Sequence, residues 1–254
     1  MLQPTVFDRS FQYGDGVFTT IKVEGGELQH WSLHWQRLQL SCQRLAIHLP
    51  DESTVLAKAK SAITSAEQVV KLVVSRGHGG RGYSCKGISG ADIYVIVSPL
   101  PVIPHLHTGI KLGVAQLQLG IQPLLAGIKH NSRLETVLLK AEAERSNYDD
   151  LLVTDSAGFV TECCAANIFF AHEGLWHTPK LTRAGVAGVM REWLFSQIEV
   201  IEDDFSLATV RQAEAMFISN ALIGIVPVRS FELKKLDISP VLQLQTALKL
   251  KGCK

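Results

Sequence analysis

Regular patterning begins at ThrThrIleLysVal, residues 19–23, a run rich in β-branched side chains that ends in Glu24, Gly25, Gly26 and Glu27 and so predicts a strand followed by a hairpin turn. The period then lengthens. Trp35, Leu38, Cys42 and Leu45 recur at helical spacing behind Ser32, a candidate N-cap, while Arg37 and Arg44 share another face seven residues apart. LysAlaLysSerAlaIle, 58–63, predicts a second helix, and the valine- and isoleucine-rich runs 69–75 and 93–98 predict two strands. This half is α+β. ProLeuProValIlePro, 99–104, holds three prolines that push their neighbours out of helical geometry, which marks a linker and sets the expected units at 1–104, the smaller, and 105–254, the larger.

Beyond the linker, Ser132 and Glu135 have capping-box spacing ahead of Leu134, Val137, Leu138 and Ala141, which predicts a helix to about Ser146. Four short runs follow, 151–154, 159–162, 167–170 and 175–177, separated by SerAlaGly and HisGluGly; they read as an antiparallel meander. Gly185 and Gly188 then precede a second helical face at Val189, Met190, Trp193, Leu194 and Ile198.

Composition narrows the function. A chain of 254 residues, 46% hydrophobic and 19% charged, is large enough for a full core and is no disordered tail. With 25 basic against 24 acidic side chains it offers no basic stripe for a phosphate backbone, so no nucleic-acid partner is expected. Its longest apolar runs have strand length, which predicts no membrane helix, and MLQPTVFDRSFQYGDG lacks the basic-then-apolar order of a signal or transit peptide. The five cysteines, Cys42, Cys85, Cys163, Cys164 and Cys253, form no CxxC pair and fit a reducing, cytoplasmic setting.

Several motifs carry chemistry less well than they first suggest. Gly77, Gly79 and Gly82 satisfy GxGxxG, but the loop leads into a strand and not into the helix that a dinucleotide site requires. Arg76, Arg81 and Tyr83 around it remain available for a substrate carboxylate. His172 and His177 are five residues apart in a hairpin, the wrong spacing and element for a zinc helix, and adjacent Cys163 and Cys164 point to opposite faces, so no metal is expected. Lys129 is more informative. It sits among Leu124, Leu125, Ala126 and Ile128, where desolvation lowers the pKa of an amine and makes it a candidate Schiff-base former. Glu162 precedes the small, apolar CysCysAlaAlaAsnIlePhePhe and needs a buried cation, for which a protonated pyridine nitrogen serves. Gly188 offers the amides of Val189 and Met190 to a phosphate, and Arg37 adds a fixed charge. Jointly these groups describe a pocket for pyridoxal 5'-phosphate.

Six stretches, 8–20 (AspArgSerPheGlnTyrGlyAspGlyValPheThrThr), 34–38 (HisTrpGlnArgLeu), 75–84, 126–135, 161–169 and 187–191, occur in an order that resembles the aminodeoxychorismate lyases. These belong to the fold-type IV, pyridoxal phosphate-dependent class with branched-chain and D-amino acid aminotransferases, and the similarity runs from about residue 7 to 230. The resemblance implies a two-domain α+β fold with the cofactor between the domains, and a homodimer. It implies conversion of 4-amino-4-deoxychorismate to 4-aminobenzoate and pyruvate. Lys129 carries the cofactor and then moves the proton, Glu162 meets the pyridinium, and Arg37 with the amides of Val189 and Met190 holds the phosphate. Ala221, by its backbone amide alone, stands where aminotransferase relatives use a threonine. Lys129, Thr19 and Thr20 are candidate proton donors to the leaving oxygen, and Arg76, Arg81, Arg133 and Tyr83 are candidates for the two substrate carboxylates. Leu134 occupies the place of a tyrosine that the aminotransferases carry five residues after the lysine. The alternatives are a D-amino acid or branched-chain aminotransferase, and a non-catalytic binding domain on the same fold.

Overall fold

A computed structural model describes residues 4–251, so Cys253 lies outside it. The chain forms two compact units, one running to Pro101 and including Ile128–Arg133, the other comprising Val102–Gly127 and the chain from Leu134.

The first unit contains α1 (Arg9–Tyr13), β1 (Gly16–Glu24), β2 (Glu27–Leu28), α2 (Trp31–Arg44), α3 (Glu52–Ser61), β3 (Gln68–Ser75) and β4 (Asp92–Ser98). Its antiparallel sheet runs β2-β1-β3-β4. Alternation in β1 buries Val17, Thr19, Ile21 and Val23 and turns Phe18, Thr20 and Lys22 to the other face. The buried set packs with Leu38, Cys42, Val55 and Leu72 in one core. Two helix starts differ from expectation. Helix α2 begins at Trp31, because His30 takes a left-handed backbone and its carbonyl accepts the amides of Leu33 and His34; no side chain caps it, so Ser32 lies inside. Helix α3 begins at Glu52, well before residue 58, because the Asp51 carboxylate accepts the Thr54 amide at 3.1 Å.

The second unit contains β5 (Ile110–Val114), α4 (Leu134–Glu144), β6 (Asp150–Thr154), β7 (Val160–Cys163), β8 (Asn167–His172), β9 (Leu175–Pro179), α5 (Val189–Phe195), β10 (Val200–Asp203), α6 (Leu207–Val210), β11 (Ala215–Asn220), β12 (Gly224–Phe231), β13 (Lys234–Lys235) and α7 (Ser239–Lys251). The sheet order is β10-β9-β8-β11-β12-β5-β6-β7, with β13 on β12. The expected meander therefore splits into two hairpins. Turns at 156–158 and at Glu173-Gly174, both with positive φ, close β6–β7 and β8–β9 locally. Between them β8 pairs with β11, and β5 enters the sheet parallel to both β12 and β6. The capping box is replaced as well: Ser132 Oγ donates to the Tyr13 carbonyl and the Glu135 carboxylate accepts the Gly120 amide, so both side chains are engaged elsewhere. Among the described residues no helix is long and apolar enough to cross a membrane.

Candidate active site

In the first unit, residues 128–133 lie along the start of β1. The Phe18 amide donates to the Lys129 carbonyl, and the Asn131 amide donates to the Gly16 carbonyl, both at 2.9 Å. The TyrGlyAspGly motif explains why this fits. A Cβ on Gly14 would stand 2.0 Å from Ser132 Oγ, and one on Gly16 would stand 2.6 Å from Asn131 Nδ2 and 2.2 Å from the Val74 carbonyl, so only glycine admits the segment. Lys129 is half-buried, with its Nζ 4.6 Å from the centre of the Phe18 ring; Lys71 Nζ is 4.4 Å from the same ring. Its shielding thus comes from an aromatic face, and Leu124, expected to shield it, is 77% exposed. Next to it, His130 Nε2 lies 2.6 Å from Arg133 Nη2 and accepts from it. Burial, helped by the charges of Arg133 and Lys129, pushes the pKa of His130 down to about 4.

The two threonines separate. Thr20 shares the face of Phe18 and Lys129, whereas Thr19 is fully buried on the opposite face against α2. Thr19 Oγ1 sits 2.6 Å from His34 Nδ1 and accepts a hydrogen bond from Arg37 Nη2. Arg37 Nε is buried with no partner among the described residues, and burial lowers the guanidinium pKa to about 10.

The glycine-rich loop between β3 and β4 is organised from below. Arg9, 3% exposed, donates through Nη1 to the carbonyls of Gly82 and Ser84, both at 3.1 Å, and through Nη2 to that of Tyr83 at 3.2 Å. Its Nε binds Asp15 at 2.8 Å. Arg76 Nε binds the same carboxylate, and its Nη1 and Nη2 donate to the carbonyls of Ala46 and Leu45. Arg76 is thus tied into the loop's base. Arg81 is exposed, and Tyr83 is 85% exposed with its ring edge-on to Tyr13. Asp8, His78 and Asp92 bring metal-type ligand atoms together, but Asp8 already accepts from Ser10, Ser75 and Tyr94, and Asp92 from His78.

In the second unit, Glu162 is half-buried on β7 rather than enclosed, and its Oε2 accepts the Val186 amide at 2.9 Å. Asn167 Nδ2 donates to the Val186 carbonyl at 2.9 Å, so one residue of the 185–188 segment is held at both backbone polar groups. A Cβ on Gly188 would stand 2.1 Å from Asn167 Oδ1, which explains that glycine. Gly188 is the N-cap of α5 and has no side chain to close the amides of Val189 and Met190. Ala221 lies in the β11–β12 turn, where Asn220 Oδ1 accepts the amides of Leu222 and Ile223. Ser219, paired in register with Asn167, is fully buried and its hydroxyl has no partner among the described residues. His172 and His177 fall in the β8–β9 hairpin, with His177 stacked on Phe170.

The Amino-transferase class IV family model matches residues 16–231. The chain belongs to the class IV aminotransferase family. Its α+β architecture is the fold-type IV one of that family. Among class IV relatives, an aminodeoxychorismate lyase of Vibrio harveyi is 42% identical over 229 residues, which cover 87% of this chain and 84% of that protein. A putative branched-chain-amino-acid aminotransferase of Methanocaldococcus jannaschii is 28% identical over 97% of this chain and 89% of its own length. Among solved class IV structures, the 4-amino-4-deoxychorismate lyase of Pseudomonas aeruginosa superposes with a TM-score of 0.88 at 33% identity, covering 96% of this chain and 94% of that one.

Each unit holds groups of the chemistry that pyridoxal phosphate requires: the first a half-buried amine, Lys129, and the buried Arg37 Nε, the second a carboxylate anchored on a backbone amide, an uncapped helix start and the buried Ser219 Oγ, with neither Arg37 Nε nor Ser219 Oγ partnered among the described residues. A phosphate oxygen is the acceptor that a buried guanidinium N–H lacks. The residues present fit the group. Sequence reading gave no role to Arg9, His34 or Ser219. His34 alone left a signal, since its spacing to Leu38 and Cys42 puts it on the buried face of α2.

Proposed function

We propose that the chain is a pyridoxal 5'-phosphate-dependent lyase that converts 4-amino-4-deoxychorismate to 4-aminobenzoate and pyruvate, a step toward folate. The observation that carries this reading is the 42% identity to the Vibrio harveyi lyase across 87% of the chain. When bound, the cofactor supplies an electron sink for the carbon that bears the substrate amine. Lys129 would hold the cofactor through its amine and would serve as the base that takes the proton from that carbon. Its backbone bonds to β1 keep the amine's stem in place while the proton moves. Glu162, fixed on the Val186 amide, keeps the proton at the pyridine nitrogen. Arg37, the amides of Val189 and Met190 and the backbone amide of Ala221 would hold the phosphate.

Of the two threonines, Thr20 is the hydroxyl that serves the leaving enolpyruvyl oxygen, because it shares the face of Lys129. Arg81, Arg133 and Tyr83 bind the substrate carboxylates, and Arg76 supports the loop that carries two of them. We assign the enzyme to the cytoplasm, from its cysteine usage, and to a homodimer, as the resemblance implies. The test is an absorption spectrum of the purified protein with added cofactor, followed by substrate. A cofactor band with 4-aminobenzoate and pyruvate as products is expected, both lost in Lys129→Ala. Amino transfer to a 2-oxo acid without aromatic product would replace the lyase by an aminotransferase, and the absence of any band would leave a binding domain.

A further inference from the structure

We infer that Thr19 is a positioning residue for the cofactor phosphate, acting through Arg37 and held in turn by His34, and that its hydroxyl takes no part in proton transfer to the leaving group. This rests on the reading above that Arg37 binds the phosphate. The argument is one of donors and acceptors. A guanidinium only donates, so in the contact between Arg37 Nη2 and Thr19 Oγ1 the threonine oxygen accepts. Thr19 is fully buried, and its own proton needs an acceptor. His34 Nδ1, at 2.6 Å, is the remaining partner, so that nitrogen is unprotonated and the imidazole carries its proton on Nε2. The three side chains form a one-way relay in which Arg37 donates to Thr19 and Thr19 donates to His34.

The environment of His34 agrees. It is 1% exposed on the inner face of α2, and burial, with the charges of Arg37 and His30 adding, holds its pKa well below the usual imidazole range. A neutral imidazole is what the relay requires, because a protonated one would offer a donor to a hydroxyl that has to donate. The relay fixes one Nη of Arg37 and leaves Nε, buried and without a partner among the described residues, as the donor reserved for ligand. It also occupies the Thr19 proton, which faces away from Lys129 on the other side of β1.

The experiment compares Thr19→Val, which keeps shape and removes the hydroxyl, with Thr19→Ser, which restores it. Affinity of the cofactor-free protein is measured by equilibrium dialysis for pyridoxal phosphate and for pyridoxal, which lacks the phosphate. Thr19→Val is expected to weaken pyridoxal phosphate by roughly ten- to hundredfold, the worth of a hydrogen bond to a charged group, to leave pyridoxal affinity at the wild-type value, and to be rescued by serine. Equal weakening of both ligands would mean a general structural role and overturn the proposal. Wild-type cofactor affinity with collapsed turnover would make Thr19 a proton donor and overturn it too. If wild-type protein prefers neither ligand while still forming product, the phosphate role of Arg37 fails and the lyase reading survives. Should Thr19→Val not fold, nitrogen-15 NMR of histidine-labelled wild-type protein decides: His34 with its proton on Nε2 supports the relay, and a proton on Nδ1 refutes it.

Discussion

Two stretches of the first unit carry most of its candidate chemistry, and they are held in opposite ways. Residues 128–133 are fixed by backbone bonds to β1 and by the room that Gly14 and Gly16 leave, so the position of Lys129 depends on no single side chain. The glycine-rich loop depends on one. Its carbonyls at Gly82, Tyr83 and Ser84 converge on the guanidinium of Arg9, which is anchored on Asp15 together with Arg76. The contrast suits the tasks assigned to each. A group that must meet the same atom in every turnover gains from backbone fixation, whereas a loop that meets an incoming substrate needs a tether whose strength one residue sets.

That contrast is open to attack in three ways. The largest effect is expected from Arg9→Ala. Breaking a buried ion pair and releasing the loop should cost about 3 kcal/mol, the low end for such a loss, because Asp15 keeps Arg76 and the freed carbonyls turn to water. Hydrogen exchange should rise across 79–85 and stay slow at Phe18 and Asn131; equal loss at both places would erase the distinction. A smaller effect is expected from Gly16→Ala, whose methyl meets the Val74 carbonyl and Asn131. Overpacking there should cost about 1–3 kcal/mol in denaturant unfolding and weaken cofactor retention while the loop's protection is unchanged. Unaltered cofactor affinity would show that the lysine segment is not so tightly bound to β1.

The smallest effect concerns acid. The folded pKa of His130, about 4, lies below its ordinary value, so between pH 6.5 and about 4 the unfolded chain takes up a proton that the folded one refuses, and stability falls as pH falls. At Asp15, burial pulls the pKa up but the hydrogen bonds from Arg76 and Arg9 outweigh it, leaving it lowered; its contribution is kept above the ordinary carboxylate pKa and lost below it. The lysine segment should therefore weaken at milder acidity than the loop's anchor. Thermal melts of His130→Gln should lose less than wild type between pH 6.5 and 5, and parallel curves for the two proteins would refute the assignment.

Legibility in the sequence followed the range of the interactions. Strands β1, β3, β4 and β6 declare themselves by composition, and the helix behind Gly188 by its period, because both signals are local. Strand β5 and the splitting of the meander do not, since Ile110–Val114 reads as a strand only once β12 and β6 flank it. Lys129 and Glu162 stood out because their types are unusual among apolar neighbours, yet what holds them, the Phe18 ring and the Val186 amide, is distant in sequence. Arg9 was hidden for the same reason. An arginine between an aspartate and a serine carries no sign that the carbonyls of residues 82–84 will close on it.

The excursion of residues 128–133 into the first unit bears on how the protein is made. A chain emerging from the ribosome in order would release β1, β3 and β4 well before the strip that lies on β1, so the unit cannot be completed when Pro101 appears. Until Arg133 has emerged, the edge of β1 at Gly16–Phe18 has unclaimed backbone groups, the kind of open strand that pairs with whatever is near. Lys129 thus arrives with the last piece of the first unit, and a nascent chain stalled before residue 128 would leave that edge of the sheet open.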